Sequence, residues 1–224
     1  MTQRKFGLTA AQLRLLALGL MLLDHLWATV VPGNNWMTYV GRMAFPIFAF
    51  QAAQGYRHTH DFGGYCKRLL IFALVSEIPF NLMISGSPIF PFHQNVMFTL
   101  LFGLLACRAY DRGKWTATFG WMVLGAFTLP DYGILGIATV LMFHVFREYK
   151  WCQLLMLIAI NWFGYEGQRL LVGTMEVPVQ AFAILAFLPI ALYNGEKGRG
   201  GKWLQYGSYI FYPLHMLILG LMGQ

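Results

Sequence analysis

Residues 11–31 read AQLRLLALGLMLLDHLWATVV, an apolar stretch whose ionisable side chains are Arg14, Asp24 and His25. A helix needs about 20 predominantly apolar residues to cross the hydrocarbon core of a bilayer. Ionisable side chains within such a helix are costly, and they usually mark a functional site that faces the protein interior. This stretch therefore predicts a membrane-spanning first helix that carries part of a polar site.

Composition extends this prediction to the whole chain. Of the 224 residues, 58% are hydrophobic and 11% are charged, against about a quarter charged in a typical soluble domain. These values exclude a soluble globular domain, and the continuous apolar runs argue against an alternating outer-membrane barrel. We predict an all-α polytopic membrane protein that forms a single integral-membrane domain over residues 1–224. The nine predicted spans are about 11–31, 38–55, 65–84, 95–109, 115–129, 132–146, 151–164, 178–193 and 203–221.

The net charge of +7 is explained by the distribution of the basic residues. Thirteen of the 16 Lys and Arg residues fall on one side of the predicted spans, whereas the opposite connections hold only Arg169. The thirteen are Arg4, Lys5, Arg57, Lys67, Arg68, Arg108, Arg112, Lys114, Arg147, Lys150, Lys197, Arg199 and Lys202. Because cytoplasmic loops carry the excess of Lys and Arg, the N-terminus is predicted to be cytoplasmic and the C-terminus periplasmic. We therefore expect membrane lipids as partners and no nucleic acid.

Five ionisable residues share one predicted depth. A rise of about 1.5 Å per residue puts His25 about 21 Å along the first span, and Glu77 and His215 about 18 Å along the third and ninth. Asp24 adjoins His25, and Arg42 lies about 6 Å below the outer surface. These groups predict one buried polar site in the outer half of the membrane. The structural alternative is an ion pair at a helix crossing, with histidines that only hydrogen-bond a neighbour.

Arg14 and His25 are predicted to lie on one helix face. Eleven steps of about 100° end about 20° past three full turns, with about 16 Å between the two residues along the axis. Such a stripe suits an extended ligand, since arginine binds phosphates and histidine can transfer protons. Alternatively, Arg14 extends its side chain to the inner interface. Asp24 points elsewhere, with Arg42 as the preferred partner and His215 as the other candidate.

Several segments of the chain resemble known families. Arg14-x10-His25 resembles the Arg-x10-His motif of the acyltransferase-3 membrane proteins. The more specific resemblance is to the TraX family, the pilin-acetylating membrane proteins of conjugative plasmids. It rests on residues 20–25 (LMLLDH), 41–49 (GRMAFPIFA), 132–136 (YGILG) and 211–215 (FYPLH). Residues 53–55 (AQG) depart from the acyltransferase-3 pattern, which has a serine-glycine pair there, and that group usually has ten spans.

The TraX resemblance implies an acetyltransferase of the bacterial inner membrane. The donor would be cytoplasmic acetyl-CoA, and the acceptor would be the N-terminal amine of a pilin subunit. His25 would be the catalytic histidine, acting as general base or carrying the acetyl group. Asp24 and Arg42 are the further catalytic candidates.

The remaining candidates are assigned to donor binding and to support of the site. Arg14 is expected to contact the phosphates of CoA, together with a basic group formed by Arg57, Lys67 and Arg68. Tyr212, His215 and Glu77 are expected to complete the polar site, and no metal is expected.

Three other functions remain open from the sequence. An O-acetyltransferase of an envelope glycan would use the same residues. A proton-coupled small-molecule transporter would also bury ionisable groups. Zinc bound by His25 and His215 with Asp24 or Glu77 is less favoured, because the sequence offers no Cys ligand there and no helical His-x-x-x-His pair.

Overall fold

The computed structural model describes residues 6–223 and is mostly helical. The basic residues Arg4 and Lys5 lie outside the described residues. The helix bounds follow the predicted apolar stretches closely. The α-helices are α1 (Ala10–Thr29), α2 (Trp36–Gly41), α3 (Ala44–His58), α4 (Phe62–Ser85), α5 (Val96–Asp111), α6 (Trp115–Phe127), α7 (Gly133–Val145), α8 (Lys150–Ile158), α9 (Phe187–Ala191) and α10 (Gly201–Met222).

Three predicted spans are not continuous α-helices. The second is divided into α2 and α3 at Arg42 and Met43, and Pro46 in the first turn of α3 suits a restarted helix because its missing N–H would have no partner there. The seventh continues from α8 into a π-helical turn, Ala159–Phe163. The eighth begins as a 3-10 helix, Val179–Ala186, before α9.

A β-hairpin corrects the expectation of an all-α fold. Strands β1 (Arg169–Val172) and β2 (Met175–Pro178) pair antiparallel, with Leu170 opposite Val177. The two-residue connection begins at Gly173, which has a φ of 64°. A short hairpin loop favours such left-handed residues, and glycine adopts them without steric cost.

Backbone hydrogen bonds between segments outside the helices join distant parts of the chain at each end of the bundle. At one end, the amide of Leu8 donates to the carbonyl of Leu192 over 2.7 Å. At the other, the amide of Gln94 donates to the carbonyl of Leu129 over 3.0 Å. Between these ends, α10 packs against both α1 and α4. The first and last helices are therefore neighbours.

The outward surface of α4 is as apolar as its inward one. Its buried face includes Leu69, Ala73 and Phe80. The opposite face is exposed, and its side chains follow helical spacing: Leu70, Ile71, Leu74, Val75 and Ile78. A helix that is apolar all round is typical of a protein core or a membrane.

Length and composition make two helices in the described part of the chain capable of crossing a membrane. They are α1, with a mean hydropathy of 1.2, and α4, with a mean hydropathy of 1.5.

Candidate functional site

The centre of the candidate site is a pair of histidines from the first and last helices. His25 Nδ1 lies 2.7 Å from His215 Nε2, and His215 Nδ1 lies 2.8 Å from the carbonyl oxygen of Phe211. The two imidazoles are parallel within 3°, and their centroids are 5.0 Å apart. The distance between the centroids equals the N–N distance of the hydrogen bond plus the two centroid-to-nitrogen distances. The two centroids and the two nitrogens therefore lie on one line, and the hydrogen bond lies in the planes of the rings. The Phe211 ring stacks on His215 at 4.8 Å and fixes its orientation.

The carbonyl of Phe211 determines the tautomers of both histidines when they are neutral. A carbonyl only accepts hydrogen bonds, so His215 Nδ1–H is the donor to it. A neutral imidazole carries one N–H, which makes His215 Nε2 an acceptor and His25 Nδ1–H its donor. His25 Nε2 then keeps its lone pair. This is the state that a general base requires, with His215 in the orienting role that a carboxylate has in the Ser-His-Asp triad.

A second pair, Asp24 and Arg42, joins α1 to the break between α2 and α3. Arg42 Nη2 lies 3.5 Å from Asp24 Oδ1, and both side chains are mostly buried. Arg42 Nη2 also donates to Thr38 Oγ1 over 3.0 Å. A Cβ at Gly41 would lie 2.5 Å from the Cβ of Asp24. Glycine at this position therefore allows α1 and α2 to touch and brings Arg42 to Asp24.

Tyr132 is held beside Arg42 in a strained conformation. Its φ is 64°, which is unfavourable for a side chain of this size. Its amide donates to Asp131 Oδ1 over 3.1 Å, and its ring stacks on Phe45 with centroids 3.9 Å apart. Its hydroxyl interacts electrostatically with the Arg42 guanidinium. Strain of this kind persists where the surroundings hold the residue, often at functional sites.

Asp131 is a member of the site that sequence reasoning missed. It lies in the short connection between the fifth and sixth predicted spans, and the only sequence signal is its position next to the matched segment 132–136. Its carboxylate also lies 3.4 Å from Nε2 of His93 in the connection between α4 and α5. This hydrogen bond raises the pKa of His93 above its usual value. The pair therefore adds a titratable group at the edge of the site.

Glu77 bonds to the start of α5 rather than to the histidine pair. Its Oε1 accepts from the amide of Asn95 over 3.0 Å and from the side-chain amide of the same residue. Asn95 also caps α5 by accepting from the amide of Met97. Within residues 6–223, Glu77 therefore connects α4 to the start of α5 and bonds to neither histidine. No group of three or more His, Cys, Asp or Glu side chains in this range could hold a metal ion.

A cavity of about 100 Å³ connects the Arg14 region with Tyr212. Arg14, Leu18 and Met21 line it from the α1 face that continues by helical spacing to His25. At the other end, the Tyr212 ring lies 5.9 Å from the ring of His215. The remaining lining residues are Phe48, Gln51, Ala52, Tyr65, Leu69, Val96, Met97, Leu100, Gln205, Ser208 and Tyr209. The cavity thus leads from Arg14 towards the histidine pair.

The side chains of the three basic residues predicted to bind the donor beside Arg14 have different surroundings. Arg68 lies with its guanidinium 5.9 Å from the ring centroid of Tyr65, which lines the Arg14 cavity. Arg57 lies beside Glu148 at 3.9 Å and lines a different cavity. The side chain of Lys67 is exposed. Only Arg68 of the three is therefore close to the wall of the Arg14 cavity.

Comparison with known proteins gives the chain a family. Its residues 9–223 match the family described as "TraX protein". A similar protein from Dichelobacter nodosus, named "Probable fimbrial assembly protein FimC, serogroup H1", is 27% identical over 96% of each chain. "Protein TraX" of Escherichia coli strain K12 is 26% identical over 94% of this chain and 86% of its own length. No solved structure matches. The match over nearly the whole length shows that this chain belongs to the TraX family.

Proposed function

We propose that this protein is a membrane-embedded acyltransferase that moves an acetyl group from acetyl-CoA to the N-terminal amine of a pilin subunit. The observation that carries the proposal is the tautomer relay from Phe211 through His215, which leaves His25 Nε2 as a free base. Family membership and the names of the relatives, one a fimbrial assembly protein, support a substrate from a pilus.

In this proposal the protein crosses the bacterial inner membrane nine times, with its N-terminus in the cytoplasm and its C-terminus in the periplasm. The apolar outward face of α4 supports contact with lipid. The concentration of basic residues at one end supports the orientation. The histidine pair then lies in the outer half of the membrane, where a pilin subunit held in the same membrane presents its N-terminus.

The reaction needs one base and one group that stabilises negative charge. The acceptor amine, after losing the proton of its ammonium form to solvent, attacks the thioester carbonyl and forms the new C–N bond. His25 Nε2 takes the second proton from nitrogen and returns it to sulfur as the C–S bond breaks and CoA leaves. Arg42 and Tyr212 stabilise the oxygen on which charge develops. Asp24 holds the guanidinium of Arg42 in place.

The donor enters from the basic end. Arg14 and Arg68 contact its phosphates, and the narrow pantetheine arm occupies the cavity between Arg14 and Tyr212. A cavity of about 100 Å³ has room for a chain but not for a nucleotide. The nucleotide therefore stays at the mouth, and the thioester reaches the histidines without transport of CoA.

Transfer of a labelled acetyl group tests the proposal. The protein is reconstituted in proteoliposomes with acetyl-labelled CoA and a pilin peptide that has a free N-terminal amine. The matched control is the same peptide with a blocked N-terminus. We expect label on the free peptide alone. Equal labelling of both peptides contradicts N-terminal transfer, and label on an envelope glycan alone indicates O-acetylation. Counterflow of a small solute without any acetyl transfer indicates a transporter.

A further inference from the structure

A second cavity lies at the basic end of the bundle and has no part in the proposed reaction. Its volume is about 490 Å³, and it shares no lining residue with the Arg14 cavity. It is open to the surface and is lined by the ends of α3, α5 and α7, the start of α4 and the connections beside them. Its lining residues are Tyr56, Arg57, Thr59, Phe62, Arg108, Asp111, Arg112, His144 and Arg147.

One carboxylate faces this cavity, and its hydrogen bonds are made at the cavity wall. Asp111 Oδ2 accepts from the Tyr56 hydroxyl over 2.8 Å. Asp111 Oδ1 lies 2.8 Å from Nε2 of His144, which is 3% exposed. Nδ1 of the same imidazole is buried and has no hydrogen-bond partner among the described residues. The carboxylate of Asp111 is therefore hydrogen-bonded at the cavity wall, and Nδ1 of His144 has no hydrogen-bond partner among the described residues.

Four guanidinium groups line the cavity and are only partly neutralised. Arg57 and Arg147 lie 3.9 and 3.4 Å from the same Glu148 carboxylate, whose side chain is 70% exposed. Arg108 lies over the Phe62 ring at 4.3 Å. Arg112 is exposed and makes no ion pair within residues 6–223. Positive charge therefore exceeds negative charge around the cavity.

All four cations in the lining are arginines, although lysines are present at the same end, for example Lys114 and Lys150. The positive-inside rule needs only charge, and either residue supplies it. The convergence of arginines on one cavity indicates a binding role in addition to the charge. The planar guanidinium can donate two hydrogen bonds to the oxygens of a phosphate, and an ammonium cannot do so in the same geometry.

We propose that this cavity binds the phosphate group of a ligand at the basic end of the bundle. The guanidiniums of Arg108 and Arg112 contact the phosphate oxygens, and Arg57 and Arg147 exchange part of their contact with Glu148 for the ligand. Two kinds of molecule carry such a group there: a soluble nucleotide and an anionic lipid. The proposal concerns binding alone and does not depend on acetyl transfer.

Two probes distinguish these sources. Adenosine 3′,5′-bisphosphate is titrated calorimetrically into the protein in phosphatidylcholine nanodiscs. Every protein in this titration also carries Arg14→Gln and Arg68→Gln, which remove the contacts proposed for the donor phosphates. Retention of phosphatidylglycerol from mixed nanodiscs is measured separately by native mass spectrometry. The test variants are Arg112→Gln and the double variant Arg108→Gln/Arg112→Gln. The matched control is Lys114→Gln, which removes a positive charge two residues from Arg112 but outside the cavity.

The expected result is binding of one probe that Arg112→Gln weakens about tenfold, since a hydrogen bond between charged groups is worth that much. Lys114→Gln leaves the binding of that probe unchanged, and the double variant abolishes it. Nucleotide binding assigns the site to a soluble ligand, and lipid retention assigns it to a headgroup. Arg112 makes no ion pair within the described residues, so its variant should fold, which thermal unfolding checks. Absence of binding by both probes, or equal weakening by Lys114→Gln and Arg112→Gln, overturns the proposal.

Discussion

His25 and His215 are 190 residues apart in the chain and hydrogen-bonded side chain to side chain over 2.7 Å. This bond joins the first helix to the last, and the carbonyl of Phe211 determines its direction. A base made in this way depends on α10 as much as on α1. Several consequences can be measured.

Loss of the orienting histidine should slow the reaction without weakening donor binding. In His215→Ala, neutral His25 can carry its proton on Nε2. A protonated Nε2 has no free lone pair, so this tautomer cannot act as the base at that nitrogen. We expect kcat to fall about 100-fold with little change in the KM for acetyl-CoA, since general bases contribute about 10²–10⁴-fold. Steady-state transfer kinetics in proteoliposomes measure both constants.

His215→Gln is the matched variant, because its amide oxygen can accept from His25 Nδ1–H. Part of the lost kcat should return in this protein. If His215→Ala and His215→Gln were both as active as the original chain, the relay would have no role in the reaction.

Replacement of Gly41 should destabilise the contact between α1 and α2. The added methyl of Gly41→Ala would lie 2.5 Å from the Cβ of Asp24, so the helices must separate. We expect a loss of about 1–3 kcal/mol in the free energy of unfolding, as in other overpacked sites. Gly19→Ala on α1 is the control, since a Cβ there meets no atom within 4 Å. Thermal unfolding in detergent compares the two, and equal stability of both variants would argue against this contact.

Glu77 should behave as a structural acceptor rather than as a carrier of protons. Glu77→Gln retains an oxygen for the amide of Asn95 and should keep most of the transfer activity. Glu77→Ala leaves that buried amide group without its partner and should cost about 1–3 kcal/mol in stability. Chemical unfolding and the transfer assay are measured on both variants. Loss of transfer in a stable Glu77→Gln protein would instead indicate a proton-carrying carboxylate.

The contact between His93 and Asp131 should make stability depend on pH. Because the hydrogen bond to Asp131 raises the pKa of His93 above its usual 6.5, protonation stabilises the fold. This contribution is fully present below about pH 6.5 and is lost as the pH rises through the raised pKa. His93→Gln should remove that part of the dependence.

The measurement is the unfolding temperature of both proteins between about pH 5.5 and 8.5, with the unfolded-state pKa of histidine near the middle of the range. The difference in unfolding temperature between the two proteins should shrink as the pH rises. High salt should make this change smaller, because His93 and Asp131 are 40% and 36% exposed and their interaction is screened. A difference that grows with pH would contradict the assigned sign.

The sequence predicted which helices contribute to the polar site better than it predicted the hydrogen bonds between their side chains. Helical rise placed Asp24 and Arg42 at one level, and they form the predicted ion pair at 3.5 Å. It also placed His25 and His215 at one level, but it could not show that they bond, because rotation about each helix axis depends on packing. Glu77 shares that level and faces Asn95 instead.

Features that depend on tertiary contacts were outside the reach of sequence patterns. The left-handed Tyr132 carries no local signal, since nothing in its side chain favours a positive φ. The 3-10 helix Val179–Ala186 occupies a stretch that is apolar enough for an ordinary span, and the hairpin lies in the connection before it. Apolar content measures burial or contact with lipid, and it does not distinguish the type of helix.

The most direct test of the account is the rate of acetyl transfer by His25→Ala. The control is His58→Ala, which removes an exposed histidine from the last turn of α3. With equal amounts of folded protein in proteoliposomes, we expect His25→Ala to lose about 10²–10⁴-fold in kcat and His58→Ala to match the original chain. Full transfer activity in His25→Ala would contradict the central claim that the base formed by the histidine pair performs the reaction.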